Sequence, residues 1–137
     1  MRPEKDTLGR VLIADDDPGI LHALSSCLTR AGFAVTTALD GAPAIELADA
    51  ADASEPGPPF ELVIVDFNMR TSGIEVIQHV RKRYGTGVYC AVLSGDDGDD
   101  TREVCLGAGA NEVFVKPAPA SVLRRRLTEV AQAMRNS

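Results

Sequence analysis

The sequence predicts a doubly wound α/β domain, with five parallel strands in the order 2-1-3-4-5 and five helices covering both faces. Three observations predict it. Five short apolar runs alternate with segments of helical periodicity, which implies right-handed βαβ crossovers. The first, third and fourth runs are continuously apolar rather than alternating, as strands buried on both faces are. Four of the runs end in a residue that can do chemistry: Asp15-Asp16, Asp66, Ser94 and Lys116-Pro117.

The strand runs are Val11–Ala14, Phe33–Thr37, Leu62–Val65, Val88–Leu93 and Val113–Val115. Before the first helix, Asp17-Pro18 reads as an N-cap followed by proline at the first helical position. Ile20, Leu21, Leu24 and Leu28 form that helix's apolar face, and Gly32 stops it. The second helix is predicted over Ala42–Ala51. Ser72 is a candidate cap for the third, whose apolar face is Ile74, Ile77 and Val80. Asp100 with Glu103 is predicted to form a capping box for the fourth. The fifth begins near Ala120 and presents Val122, Leu123, Leu127, Val130 and Met134. Ser54-Glu55-Pro56-Gly57-Pro58-Pro59 suits neither a helix nor a central strand and reads as a long loop.

The chain has 137 residues, which suits one domain, read as a tail over residues 1–8 and a folded unit over 9–137. No apolar run approaches the roughly 20 residues of a membrane span, and the polar N-terminus is no secretory signal. The expectation is a cytoplasmic protein without a membrane partner. A net charge of −6 and the lack of a basic reading helix argue against direct nucleic-acid binding. Arg124-Arg125-Arg126 reads as the wet face of an amphipathic helix. Cys27, Cys90 and Cys105 lack metal-ligand or redox spacing and read as reduced structural thiols. The acidic run Asp96-Asp97-Gly98-Asp99-Asp100 lacks EF-hand spacing and reads as a solvated loop leading into a helix. His22 and His79 are not taken as ligands.

In an open parallel sheet all the strand C-termini lie on one edge, and ligands bind there where strand order reverses. Order 2-1-3-4-5 makes the first and third strands neighbours, so Asp15, Asp16 and Asp66 converge. Carboxylates this close repel one another, and burial against the sheet penalises their charge further. A hard divalent cation offsets both effects, and oxygen-only ligands favour magnesium, or manganese. Lys116 adds a fixed positive charge and Ser94 a hydroxyl, while Gly95 leaves room beside them. Such a cradle stabilises a transferring phosphoryl group. Asp66 is the candidate nucleophile, since carboxylates form acyl phosphates.

With these residues the chain resembles the receiver domain of bacterial two-component response regulators, a flavodoxin-like fold. The matching segments are Val11-Leu12-Ile13-Ala14-Asp15-Asp16-Asp17-Pro18, Leu62-Val63-Ile64-Val65-Asp66, Val92-Leu93-Ser94-Gly95, Gly109-Ala110-Asn111 and Val115-Lys116-Pro117. The resemblance covers Gly9 to Met134. It implies that Asp66 is the phosphoacceptor, that Asp15 and Asp16 hold the metal, and that the Asn68 backbone carbonyl completes the metal shell. It also implies that Ser94 is the switch hydroxyl, that Lys116 pairs with the phosphoryl group, and that the Lys116–Pro117 bond is cis. Two positions depart from the family pattern. Val113 stands where the family has a switch aromatic, and Phe114 beside it faces the other side of the sheet. The loop Met69-Arg70-Thr71-Ser72-Gly73 lacks the usual proline and is one residue shorter.

The implied function is a phosphoacceptor switch. A sensor histidine kinase or a phosphotransfer protein donates the phosphoryl group. A downstream protein reads the face built from the fourth helix, fifth strand and fifth helix, and a homodimer is a further expected partner state. Two alternatives carry different chemistry. One is a receiver-like interaction module that works without phosphorylation. The other is a phosphatase of the haloacid dehalogenase type, which needs an acid two residues after the nucleophile, where this chain has Asn68.

Overall fold

The computed structural model describes residues 7–50 and 57–136. Five parallel strands form one sheet in the order β2-β1-β3-β4-β5, as the sequence predicts. They are β1 (Arg10–Ala14), β2 (Ala34–Ala38), β3 (Leu62–Asp66), β4 (Tyr89–Ser94) and β5 (Glu112–Val115). Between and after them lie α1 (Pro18–Ala31), α2 (Gly41–Asp49), α3 (Gly73–Tyr84), α4 (Asp99–Ala108) and α5 (Ala120–Arg135), with a 3-10 turn at Gly85–Gly87. The predicted Ala51 end of the second helix, the 54–56 part of the long loop and residues 1–6 of the tail lie outside the described residues.

β3 and β4 are buried along their whole length, which is why their sequences are continuously apolar. Two apolar layers sandwich the sheet. Leu12, Val63, Val65, Cys90 and Val92 face α2, α3 and α4. Val11, Ile13, Leu62, Ile64 and Leu93 face α1 and α5. Strand alternation sends Val113 into the first layer and Phe114 into the second. Cys90 and Cys105 are buried, Cys27 is half-buried, and all three are free thiols. Burial pushes the Cys90 thiol up to about 11, so it is inert at neutral pH.

The helix signals resolve in detail. Asp17 caps α1, its Oδ1 accepting from Gly19 N at 2.8 Å and Ile20 N at 3.3 Å, with Pro18 following it. Gly32 ends the helix at φ 110°, where a side chain would be strained. Ser72 does cap α3, and Glu75 completes a full capping box. The box expected at Asp100 and Glu103 does not form. α4 starts at Asp99 after the N-cap Gly98, so Asp100 already sits in the first turn. There it faces the helix dipole favourably instead of capping. The work at this end falls to Asp96, which accepts from Gly98 N at 2.7 Å and from the Thr101 hydroxyl at 2.7 Å. Val122 was expected in the buried stripe of α5 but is 51% exposed; Ala131 takes the place beside Leu123, Leu127 and Val130.

Candidate functional site

Sheet register assembles the site. Ala14 is level with Ala38 on one side and Val65 on the other, so Asp15 and Asp66 leave adjacent strands side by side. Asp66 is level with Leu93, and Ser94 with Val115. Lys116 follows at once, its backbone N–H donating to Ser94 O at 2.7 Å. Its side chain then reaches back over β4 toward β3 and β1. The Lys116–Pro117 bond is cis.

The acids converge as expected. Asp15, Asp16 and Asp66 each offer a carboxylate oxygen, and these oxygens lie within 4.8 Å of one another. Asp15 is fully buried, Asp66 is 4% exposed, and Asp16 lies open to solvent. Lys116 Nζ sits 3.0 Å from Asp15 Oδ2 and 3.2 Å from Asp66 Oδ1. The contact with Asp15 Oδ2 is a close ion pair without hydrogen-bond alignment, and that oxygen has no aligned donor. Asp15 Oδ1 is better served, accepting from Asp17 N at 2.9 Å.

The electrostatics follow from this crowding. Burial, then the Asp15 charge, push the Asp66 carboxyl above the ordinary carboxylate range, and Lys116 offsets them only in part. Burial alone would lower the Lys116 ammonium. The two acids outweigh it and hold that group above its usual value, charged at every physiological pH. Three carboxylates thus share one ammonium. The deficit of positive charge, the all-oxygen ligand set and the one solvent-facing acid fit a hard divalent cation that keeps some of its waters.

Ser94 is buried on the same edge, but its hydroxyl is engaged elsewhere. It donates to Asp96 O at 3.1 Å and accepts from Asp96 N at 3.0 Å. Asn68 is exposed in the loop after Asp66, its N–H a long 3.4 Å from Asp66 Oδ1. The loop is shaped by two tight glycines. A Cβ on Gly73 would lie 2.3 Å from Asp66 O, and one on Gly41 would lie 2.2 Å from Thr71 O. Phe67 N donates to Leu93 O at 2.8 Å, the Ser72 hydroxyl to Phe67 O at 3.3 Å, and Thr71 N to Asp40 Oδ1 at 2.9 Å. Asp40 was not singled out from the sequence. The Asp40-Gly41 pair before a helical pattern was the one signal available.

Buried acids bridged by a lysine, in the crevice where the strand order of an open parallel sheet reverses, define an α/β domain that handles a charged group on this edge. The chain matches the response regulator receiver domain family over residues 11–128 and belongs to that family. It is a receiver domain, the phosphoacceptor unit of two-component signalling. It is 37% identical over 109 residues to the transcriptional regulatory protein PrrA of Mycobacterium leprae, a match that covers 79% of this chain and 43% of PrrA. The chain therefore spans less than half the length of that relative. The chemotaxis response regulator CheY4 of Vibrio cholerae shares 28% identity and superposes with a TM-score of 0.79, covering 90% of this chain and 99% of CheY4. A Burkholderia pseudomallei response regulator, solved with a phosphorylated aspartic acid, a calcium ion and citrate, shares 26% identity at a TM-score of 0.73. That match covers 90% of this chain and 71% of the other.

Proposed function

We propose that Asp66 is the phosphoacceptor and that Asp15, Asp16, Asp66 and the Asn68 backbone carbonyl hold Mg2+, or Mn2+, beside it. The observation that carries this reading is the Lys116 ammonium, within 3.2 Å of two buried carboxylates that remain under-neutralised. The Burkholderia relative, with its phosphorylated aspartate and divalent ion, supports the same assignment. A bound divalent ion would neutralise the oxygens of the incoming phosphoryl group. A carboxylate oxygen of Asp66 forms the new O–P bond as the donor's bond to phosphorus breaks and the donor leaves with that electron pair. Lys116 exchanges part of its ion pairing with Asp15 and Asp66 for the new phosphoryl oxygens.

Ser94 must break its pair of bonds with Asp96 before its hydroxyl can reach the phosphoryl group. Phosphorylation then shifts the population between two arrangements of the β4–α4 loop. Val113 leaves this chain without a rotating aromatic on that route, so the loop and α4 carry the change. The donor is a sensor histidine kinase or a phosphotransfer protein. The readout is a protein partner on α4, β5 and α5, which expose Val104, Leu106, Val115 and Val122. The same face is open to a second copy of the chain. The domain acts as a regulator in the cytoplasm and catalyses only its own phosphorylation and dephosphorylation. No described helix is long and apolar enough to cross a membrane.

Incubation with acetyl phosphate and MgCl2, followed by intact-mass spectrometry, tests the assignment. The native chain gains the mass of one phosphoryl group, and Asp66→Asn or removal of the metal with EDTA abolishes the gain. Equal labelling of Asp66→Asn sinks the assignment.

A further inference from the structure

We infer that Asp40, at the junction of β2 and α2, is a positioning residue that clamps the loop after Asp66 and thereby sets the metal affinity of the site. The inference rests on the phosphoacceptor reading above and extends it to a residue outside the acid cluster.

The loop from Phe67 to Ser72 leaves the site directly from Asp66 and carries Asn68, whose N–H faces Asp66 Oδ1. Its two ends are pinned by their own surroundings. Phe67 N is bound by Leu93 O, and Ser72 begins α3 with a capping box. Between them the loop has no proline to restrict its backbone. Just before its Ser72 end the loop is also held from outside by Asp40, whose Oδ1 accepts from Thr71 N at 2.9 Å. Gly41 brings the two segments close enough for this bond. A Cβ at Gly41 would lie 2.2 Å from Thr71 O, so only glycine lets the β2–α2 junction approach so near. The bond to the Thr71 amide, foremost, keeps the Asp40 carboxyl below the ordinary carboxylate range, so it remains an ionised acceptor at neutral pH. Asp40 stands at the N-cap position of α2 but makes no side-chain cap bond to that helix. Its hydrogen bond goes to the neighbouring loop, while the nearby Gly41 and Ala42 amides of α2 add to the lowering of its carboxyl. A partner that orients a ligand-bearing segment without touching the metal acts as residues just outside a metal shell do.

The test uses Asp40→Ser and Asp40→Asn in the whole chain. Serine keeps a good N-cap residue for α2 but is too short to reach Thr71, whereas asparagine retains the acceptor oxygen. Mg2+ binding is measured by calorimetry with the metal alone, and exchange of the Thr71 amide proton is followed by NMR alongside thermal melting. Asp40→Ser is expected to bind Mg2+ about tenfold more weakly, the lower end of what such supporting partners contribute. It should also exchange the Thr71 amide faster, while Asp40→Asn restores both. Three results overturn the clamp: an unprotected Thr71 amide in the native chain, Mg2+ affinity in Asp40→Ser within twofold of native, or an Asp40→Asn chain as impaired as Asp40→Ser. If the native chain takes up the phosphoryl group and Asp40→Ser matches it in metal affinity, the clamp alone fails. If the native chain neither binds Mg2+ nor takes up a phosphoryl group, the phosphoacceptor reading fails and the clamp with it.

Discussion

Replacing Lys116 by methionine removes the ammonium while keeping most of the stem that covers the site. The structure sets the size of the effect. Nζ lies 3.0 Å from Asp15 and 3.2 Å from Asp66, so each attraction amounts to ~5 kcal/mol at an effective dielectric constant near 20. Against this stands the desolvation of the ammonium, whose side chain remains 25% exposed, and the loss of side-chain freedom. Removing one partner of a buried pair costs about 3–5 kcal/mol. The lysine's partial exposure places this case at the low end, about 3 kcal/mol. For a chain of this size that is a fall in Tm of roughly 10 °C in metal-free buffer at neutral pH. Added Mg2+ should restore most of it, since a ligand at a hundred times its Kd adds about 2.7 kcal/mol. With the competing positive charge gone, the variant should also bind Mg2+ more tightly than the native chain does. Thermal melts with and without MgCl2 read both effects. A Lys116→Met chain that melts with the native one in EDTA would show that the lysine does not balance those acids, and the electrostatic account of the site would fall.

The pH dependence tests the same crowding from another side. The Asp66 carboxyl is raised above its unfolded value of 3.8, so the native state holds that proton more tightly than the unfolded chain does. This part of the stability is therefore gained as pH falls from neutral through the folded pKa, and is lost above it. Metal-free urea titrations should show it in the native chain and not in Asp66→Asn, which should also be the more stable of the two at pH 7. Arg81 donates to Gly109 O at 2.9 Å, Gly85 O at 2.8 Å, Val88 O at 2.5 Å and Asn111 Oδ1 at 2.7 Å. Arg81→Ala should lower stability by about 2 kcal/mol in urea unfolding, and lysine should recover little, because it lacks the fork. Gly73→Ala forces a Cβ to within 2.3 Å of Asp66 O. About 1–3 kcal/mol of overpacking loss is expected in the same assay, with weakened Mg2+ binding because the strand end carrying Asp66 must shift.

The fold was legible because its signals are local and periodic. Continuous apolar runs marked β1, β3 and β4, and Asp17-Pro18 with Gly32 bracketed α1 to within a residue. The acid cluster and Lys116 were legible for a related reason. In a parallel sheet, strand order turns the ends of distant segments into neighbours, and order 2-1-3-4-5 places Asp15 against Asp66. Val122 was misplaced because helical periodicity finds a stripe but not its edge; the buried arc of α5 is rotated toward Ala131. The α4 cap was misplaced because five acids and glycines in a row offer several frames for one box. Which frame wins depends on Asp96 reaching both Gly98 and Thr101.

What no motif contains is the state of balance at the site. The sequence places a serine hydroxyl, a lysine and three acids on one edge. It does not say that the Ser94 hydroxyl is spent on Asp96 while Lys116 divides itself between two carboxylates. If Asp66 is the phosphoacceptor, as proposed, those two facts would set the direction of the switch. Before phosphorylation, Lys116 is needed by Asp15 and Asp66, and Ser94 stabilises its own loop. A phosphoryl group on Asp66 would bring oxygens that compete for both groups at once, so moving the lysine and releasing the serine loop would be coupled by shared chemistry. On the proposed assignment, the β4–α4 loop is the element whose equilibrium the phosphoryl group would bias, without help from an aromatic at position 113. Ser94→Ala, which cannot make the Asp96 bonds in either state, should loosen that loop in the unphosphorylated chain. Hydrogen exchange at the Asp96 and Gly98 amides should speed up there, and phosphorylation should change it less than in the native chain. If phosphorylation changed exchange at those amides equally in both chains, the serine would not be the coupling group.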